Sequence, residues 1–430
     1  MLKRFLLLII CSILFAFIGA SYATHDPLVN IGQNSSANAT TTEAAEATGV
    51  LIAAGIMLLA LHHNTPSQSA QLVTIFLSAD NDQLYRINQN APDTTEWIQI
   101  GTRPAGVDSI SSFALSPDGN TVFIEGRKPD NTEQMYRVAA NAGSGVNWEQ
   151  VGTPPIGVQE WIGSFALSPD GSMIFIEGKE TDDTEQVYRV ATNAGSGVNW
   201  EQVGAAPTGV NRISSFDLSS DGSMLFIDGR KPAGTEQMYR VAANAGSGSE
   251  WDQVGTPPSG VQEWIGSFAL SPDGSMIFIE GRKPGSLEYM YKVAATAGSG
   301  VNWEQVGTHP AGVLERIYSF SLSPDGNIIF IEGVREDVTG QMYRMAANAG
   351  SGYVWEKTGL HPTEINYISS FASSPDGGTI FIEGRKVGVG TEQMYKVAAN
   401  AGSGNEWEQI GTRPAGVNSI QSFVLSLDTR

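Results

Sequence analysis

The chain has 430 residues, of which 25 are basic and 45 acidic, giving a formal net charge of −20. A surface this acidic repels nucleic acid and anionic headgroups, so neither is a favoured partner. The only cysteine, Cys11, lies in a segment expected to be removed, which leaves the mature chain without a disulfide or a thiol nucleophile.

Residues 1–23 read as a signal peptide: Lys3 and Arg4 precede the apolar run Phe5 to Ala20, and Ser21-Tyr22-Ala23 offers a small-x-small cleavage site. The protein is therefore expected to be secreted or periplasmic. Residues 24–70, rich in Ala, Thr, Ser, Asn and Glu, read as a disordered low-complexity linker. Within it, the uncharged run 47–61 (ATGVLIAAGIMLLAL) is short for a bilayer span. Both a membrane association through 47–61 and docking on the folded domain stay open.

The rest of the chain, 71–430, repeats. A phenylalanine recurs at Phe113, Phe165, Phe216, Phe268, Phe320, Phe371 and Phe423, in steps of 51 or 52 residues. A tyrosine followed by Arg or Lys (Tyr85, Tyr136, Tyr188, Tyr239, Tyr291, Tyr343, Tyr395) and a tryptophan (Trp97, Trp148, Trp200, Trp251, Trp303, Trp355, Trp407) keep the same step. Each unit holds short alternating runs separated by turn residues, as in SISSFALS, the turn Pro117-Asp118-Gly119, TVFIEG, EQMYRVA and, after NAGSG, WEQVG. Alternation with β-branched and aromatic enrichment predicts strands, and four strands per unit of this length predict a β-propeller blade. The fold class expected is thus all-β, a seven-bladed β-propeller of four-stranded blades. The array opens in mid-unit at LVTIFLSADNDQLYRI and stops after SIQSFVLSLD. Pairing of these N- and C-terminal strands in one blade would close the ring and leave no sheet edge open.

Residues repeated in every unit are expected to hold the fold: the aromatics as core between blades, and the FIEG acid with the base after tyrosine as a structural charge pair or polar ring. His309 and His361 are the only histidines of the repeats, and no hydrolase triad, metal cage or phosphate loop can be assembled. The expectation is a non-enzymatic protein with no cofactor and no metal. Positions that break the repeat are the candidate site. Four residues before the phenylalanine stand Trp161, Arg212, Trp264, Arg316 and Tyr367 in successive units, and a second varying position holds Arg103, His309, His361 and Arg413. Both are expected in the loop entering each first strand, on one rim, where aromatic faces stack on a ligand and polar groups orient it.

The run SFALSPDGNTVFIEG, QMYRV, NWEQVG resembles the repeat of the tachylectin and tectonin propeller lectins across 71–430. Its Ser-Pro-Asp-Gly turn is equally similar to that of WD-like and TolB-like propellers. The units here are longer than the tectonin repeat, and the FIEG acid is no part of that pattern. The lectin resemblance implies multivalent binding of glycans or glycoconjugates. The alternative is a protein-interaction scaffold with its partner on one rim. A lectin should keep ligand groups in most blades, whereas a protein partner should favour one sector.

Overall fold

The computed structural model describes residues 73–427 except for 80, 156, 161–164, 233–234, 259–260, 262–264, 284–286, 311–312, 336–339, 361–364, 387–390, 414–416 and 418. The expected leader and linker lie outside these residues. All regular structure described is β, arranged as seven antiparallel sheets. We number these blades in chain order, blade 1 being the one that contains Val73–Ala79.

Blade 2 shows the plan: Ser109–Leu115, Thr121–Arg127, Glu133–Ala139 and Glu149–Val151 pair in sequence order. Ser116-Pro117-Asp118-Gly119 turns the first strand into the second. Asp118 accepts hydrogen bonds from Ser116 Oγ (2.5 Å) and the Asn120 amide (3.1 Å), and Gly119 takes φ 69°, which an L side chain resists. Blade 3 departs from the plan, because two short strands, Val158–Glu160 and Phe165–Leu167, both pair with Met173–Glu180.

Blade 1 takes Ile420–Leu427 as its first strand, antiparallel to Val73–Ala79, with Phe76 opposite Val424. The closure expected from the broken ends of the array is present. First strands of neighbouring blades touch all the way round, including Ile420–Leu427 against both Ile365–Ser373 and Ser109–Leu115, so they surround the ring axis.

Seven apolar clusters fill the seven interfaces between blades. Phe76 and Leu84 of blade 1 meet Ile124, Tyr136 and Trp148 of blade 2, and Phe381 and Met394 of blade 7 meet Ile75, Tyr85 and Trp97 of blade 1. Burying one such aromatic removes about 150–250 Å² from water, on the order of 4–6 kcal/mol before entropy. The tryptophan also explains the glycine of VG. Gly152 sits at φ 64°, and a Cβ there would stand 2.6 Å from Nε1 of Trp200 in the next blade.

Two rings of polar bonds stitch the blades. The base after tyrosine donates to a backbone carbonyl of the following blade in every case: Arg86 to Ala140, Arg137 to Thr192, Arg189 to Ala243, Arg240 to Ala295, Lys292 to Ala347, Arg344 to Ala399 and Lys396 to Gln89. Charge-assisted bonds of this kind contribute about 1.5–3 kcal/mol each. Around the perimeter, the residue after each fourth-strand glycine donates its amide to the next blade, from Thr102 to Val146 through Thr308 to Tyr353 and back from Thr412 to Thr95.

Candidate functional site

Because successive strands alternate direction, the connections from second to third strand and from fourth to next first strand share one rim, the loop rim. The Ser-Pro-Asp-Gly turns lie on the other, the turn rim. On the turn rim, similar clefts of about 740, 560 and 440 Å³ open between blades. The first is lined by Arg344, Glu356 and Asp376, but Arg344 already binds Ala399 O and Glu356. These groups hold the ring together.

The loop rim has a different chemistry. The FIEG acid ends the second strand and lies buried beside the acid that opens the third, as with Glu125 and Glu133, Glu177 and Glu185, or Asp228 and Glu236. Burial first, then the neighbouring carboxylate, pushes Glu125, Glu177 and Asp228 well above the ordinary carboxylate range. In blade 6 the third strand opens with Gly340 instead, yet burial alone pushes Glu332 up to about 8. The acid at the start of the third strand, or in blade 1 just before it, also bonds across blades: Asp82 accepts from the amide of Ile110 (3.2 Å), Glu185 from Ile213 (2.5 Å), Glu288 from Ile317 (2.6 Å) and Glu392 from Ile420 (2.6 Å).

Of the two readings offered for the FIEG acid and the base after tyrosine, a charge pair or a polar ring, the structure rules out the pair, because the two lie apart, while the base forms a ring of bonds between blades. The base points to the turn rim, where Arg137, for example, also meets Glu149 of the fourth strand at 3.1 Å. Alternation along a strand tells which face a residue takes, but not which neighbouring blade supplies its partner.

One sector of the loop rim departs from the repeat. In blades 2, 4, 6 and 7 the second residue of the third strand is a buried glutamine, Gln134, Gln237, Gln341 or Gln393, whose amide donates to fourth-strand carbonyls. Blade 5 has Tyr289 there. Lys283 Nζ stands 4.4 Å from the Tyr289 ring centroid, and His309 meets the same ring edge-on at 5.8 Å. His309 Nδ1 is 3.0 Å from Glu288 O, and Glu288 is clamped by Arg282 at 2.5 Å. Thr308, next to His309, donates its amide to Tyr353 O of blade 6 at 2.8 Å and accepts from Trp355 Nε1 at 2.8 Å. Tyr353 and Val354, both 66% exposed, stand beside Thr308 on the connection from the third to the fourth strand of blade 6. Tyr289, a break within a strand, escaped a search confined to loop positions, although EYMY among the EQMY runs was its signal.

Of the residues singled out in the sequence, His309 joins this sector. Arg212 is exposed at the head of its first strand, and its charge acts on Glu177. Arg316 and Tyr367 have their backbone within the first strands Val313–Leu322 and Ile365–Ser373, not in the preceding loop. Those strands start early because the facing second strands run on to Arg335 and Lys386. Trp161, Trp264 and His361 lie outside the described residues. Among the described residues no group of three His, Cys, Asp or Glu side chains has metal-site geometry.

No family model matches the sequence, and no curated protein matches it. Solved structures share the fold. The periplasmic gluconolactonase of Pseudomonas aeruginosa is 16% identical over 84% of this chain and 100% of its own, with a TM-score of 0.54. A candidate 6-phosphogluconolactonase of Bacteroides fragilis is 13% identical over 84% and 99%, with a TM-score of 0.50. Prolyl oligopeptidase B of Galerina marginata is 9% identical over 82% of this chain and 52% of its own, with a TM-score of 0.53. At such identities the likeness is one of fold. It nonetheless overturns the expectation that the chain is no enzyme, since that fold is shared with proteins named as lactonases. The exclusion rested on scarce histidine and cysteine and did not foresee carboxyl groups that burial pushes up, as it does Glu332 to about 8.

Proposed function

We propose that this propeller is an extracytoplasmic interaction scaffold that engages a protein partner through the sector of blades 5 and 6. The observation that carries this reading is the joining of Lys283, Tyr289 and His309 on the loop rim of blade 5, with the exposed Tyr353 and Val354 of blade 6 next to Thr308. Half-buried aromatics beside a cation, with an exposed tyrosine and valine next to them, are the composition of a protein-binding patch. A ligand read identically by every blade would not need a single odd sector. An extracytoplasmic setting follows from the leader read in residues 1–23.

The test places a photo-crosslinking amino acid at Tyr289, or at the equivalent Gln237 of blade 4, in the full chain within its own host. Capture of the same protein from Tyr289 and not from Gln237, lost when Tyr353→Ser and Val354→Asn are added, supports the sector. Equal capture from both positions overturns it. The glycan reading has its own arm: array binding that disappears in Trp161→Ala/Trp264→Ala, with no capture at Tyr289, would replace the scaffold. Lactone hydrolysis that survives the blade 6 changes would place the activity elsewhere on the ring.

A further inference from the structure

The buried carboxyl pairs do more than fill the loop rim. Each described acid that bonds across blades sits at a seam, where its oxygen holds the amide of the next first strand: Ile110, Ile213, Ile317 or Ile420. At three of these seams the held isoleucine pairs opposite the glycine that follows a second-strand acid sealed from water: Ile110 with Gly126 after Glu125, Ile213 with Gly229 after Asp228, and Ile317 with Gly333 after Glu332, these acids being 1%, 0% and 1% exposed. The loops lie over the same place: a Cβ on Gly126, the residue after Glu125, would stand 3.0 Å from Val107 of the entering loop. Nearby arginines offset this burial only in part, and Glu332 has none beside it among the described residues. Glu125 faces Glu133, Arg127 and the Ser112 hydroxyl, and Glu177 faces Glu185, Arg212 and Glu125 of the preceding blade. Asp228 faces Glu236 and Arg230, and Glu332 faces Ser319. Neither oxygen of Asp228, nor Oε1 of Glu332, has a donor among the described residues.

We propose that the loop rim is a proton-held seam, in which closure between blades depends on protons kept in the buried second-strand carboxyls and loosens when mild alkali removes them. Ionising one of these acids places a negative charge in a site without water, next to the residue that pairs with the held strand. The least costly relief is separation of the blades at that rim, while the turn rim keeps its seven cation bonds. At blade 5 the same Glu288 that holds Ile317 lies against His309, so opening the seam would change the binding surface as well.

The sign follows from the direction of the shifts. A carboxyl raised in the folded chain keeps its proton where the unfolded chain has lost it. Stability is therefore fully present below the ordinary carboxylate value of 4.5 and is lost as pH rises towards about 8, the value for Glu332. Asp217, in the first strand of blade 4, is raised to about 6 by burial and acts in the same direction over a narrower window.

The experiment follows the thermal melt of the full chain from pH 5 to pH 9, beside hydrogen exchange at Ile110, Ile213, Ile317 and Ile420 corrected for intrinsic base catalysis. The melting temperature should fall by on the order of 5–10 °C, and the amides of Ile110, Ile213 and Ile317 should lose protection before that of Ile420, whose facing strand carries no acid, and before the turn-rim amides of Gly119, Gly222 and Gly326. In Glu125→Gln/Glu332→Gln the slope should flatten, and in Asp217→Asn it should persist above pH 7. Should the double variant not fold, infrared spectra of the unaltered chain decide, because the seam requires a protonated-carboxyl carbonyl band at pH 7 that fades by pH 9. A melt independent of pH, uniform loss of protection on both rims, or absence of that band would overturn the proposal.

Discussion

The two rims of this ring use carboxylates in opposite ways. On the turn rim, Asp170, Asp221, Asp273 and Asp325 stand in water and are held down to about 2, chiefly by the serine hydroxyl two residues before each. On the loop rim, Glu332 is pushed up to about 8 by burial alone, within the same blade as Asp325. Nothing in the residue type separates them. An aspartate in a turn has donors supplied locally by its own loop, whereas an acid at the end of a second strand is enclosed by the third strand and by the next blade. Placement in the blade makes one rim a set of charged turns and the other, in blades 2, 3, 4 and 6, a set of carboxyls that burial pushes up.

The most severe way to break this contrast is to remove the strand where both rims are closed. Deleting 419–430 exposes the edge of Val73–Ala79 and removes the amide that Glu392 accepts. The expected outcome is aggregation or loss of a cooperative melt, read by scanning calorimetry and light scattering. An unchanged sharp transition would refute ring closure.

A paired substitution sharpens the comparison. Glu392→Ala leaves the part-buried Ile420 amide without its acceptor and should cost about 2–3 kcal/mol. Asp376→Ala on the turn rim of the same blade removes bonds to Ser374 and Gly378 that water can replace, and should cost about 1 kcal/mol or less. Urea melts at pH 6 measure both, and equal costs would dissolve the distinction between the rims.

The smallest effect expected is a gain. In blades 2 and 7 the first-strand serine bonds the FIEG glutamate, Ser112 to Glu125 at 2.8 Å and Ser370 to Glu383 at 2.9 Å. Blade 4 has the shorter Asp228, and Ser215 Oγ is left without a partner. Asp228→Glu should restore the bond and raise stability by about 1 kcal/mol, visible as a higher urea midpoint with an unchanged slope.

These contrasts also show what the sequence could reveal. Blade number, strand order and even the closing strand were legible, because Phe, Tyr and Trp recur at a fixed step and the array is cut in mid-unit. Packing of the tryptophan against a glycine of the preceding blade, as with Trp200 on Gly152, was not, because it joins residues in different units. The same limit hid the partner of Arg344, which lies 55 positions away at Ala399. Within the site, His309 was visible as a break in a loop. Tyr289 became informative only once the ring placed it between His309 and Lys283.

The pairing of Phe76 with Val424 has a consequence for how the chain is made. The strands of blades 2 to 7 find their partners close by in the sequence, and each of those sheets forms as soon as its own residues are free. Blade 1 waits for Ile420–Leu427. A chain emerging amino end first carries Val73–Ala79 with an unsatisfied backbone edge for almost its whole synthesis, the kind of edge that recruits wrong neighbours. Assembly therefore comes down to one late, long-range docking step, and a nascent chain stalled before it calls for protection by another protein until the last strand arrives.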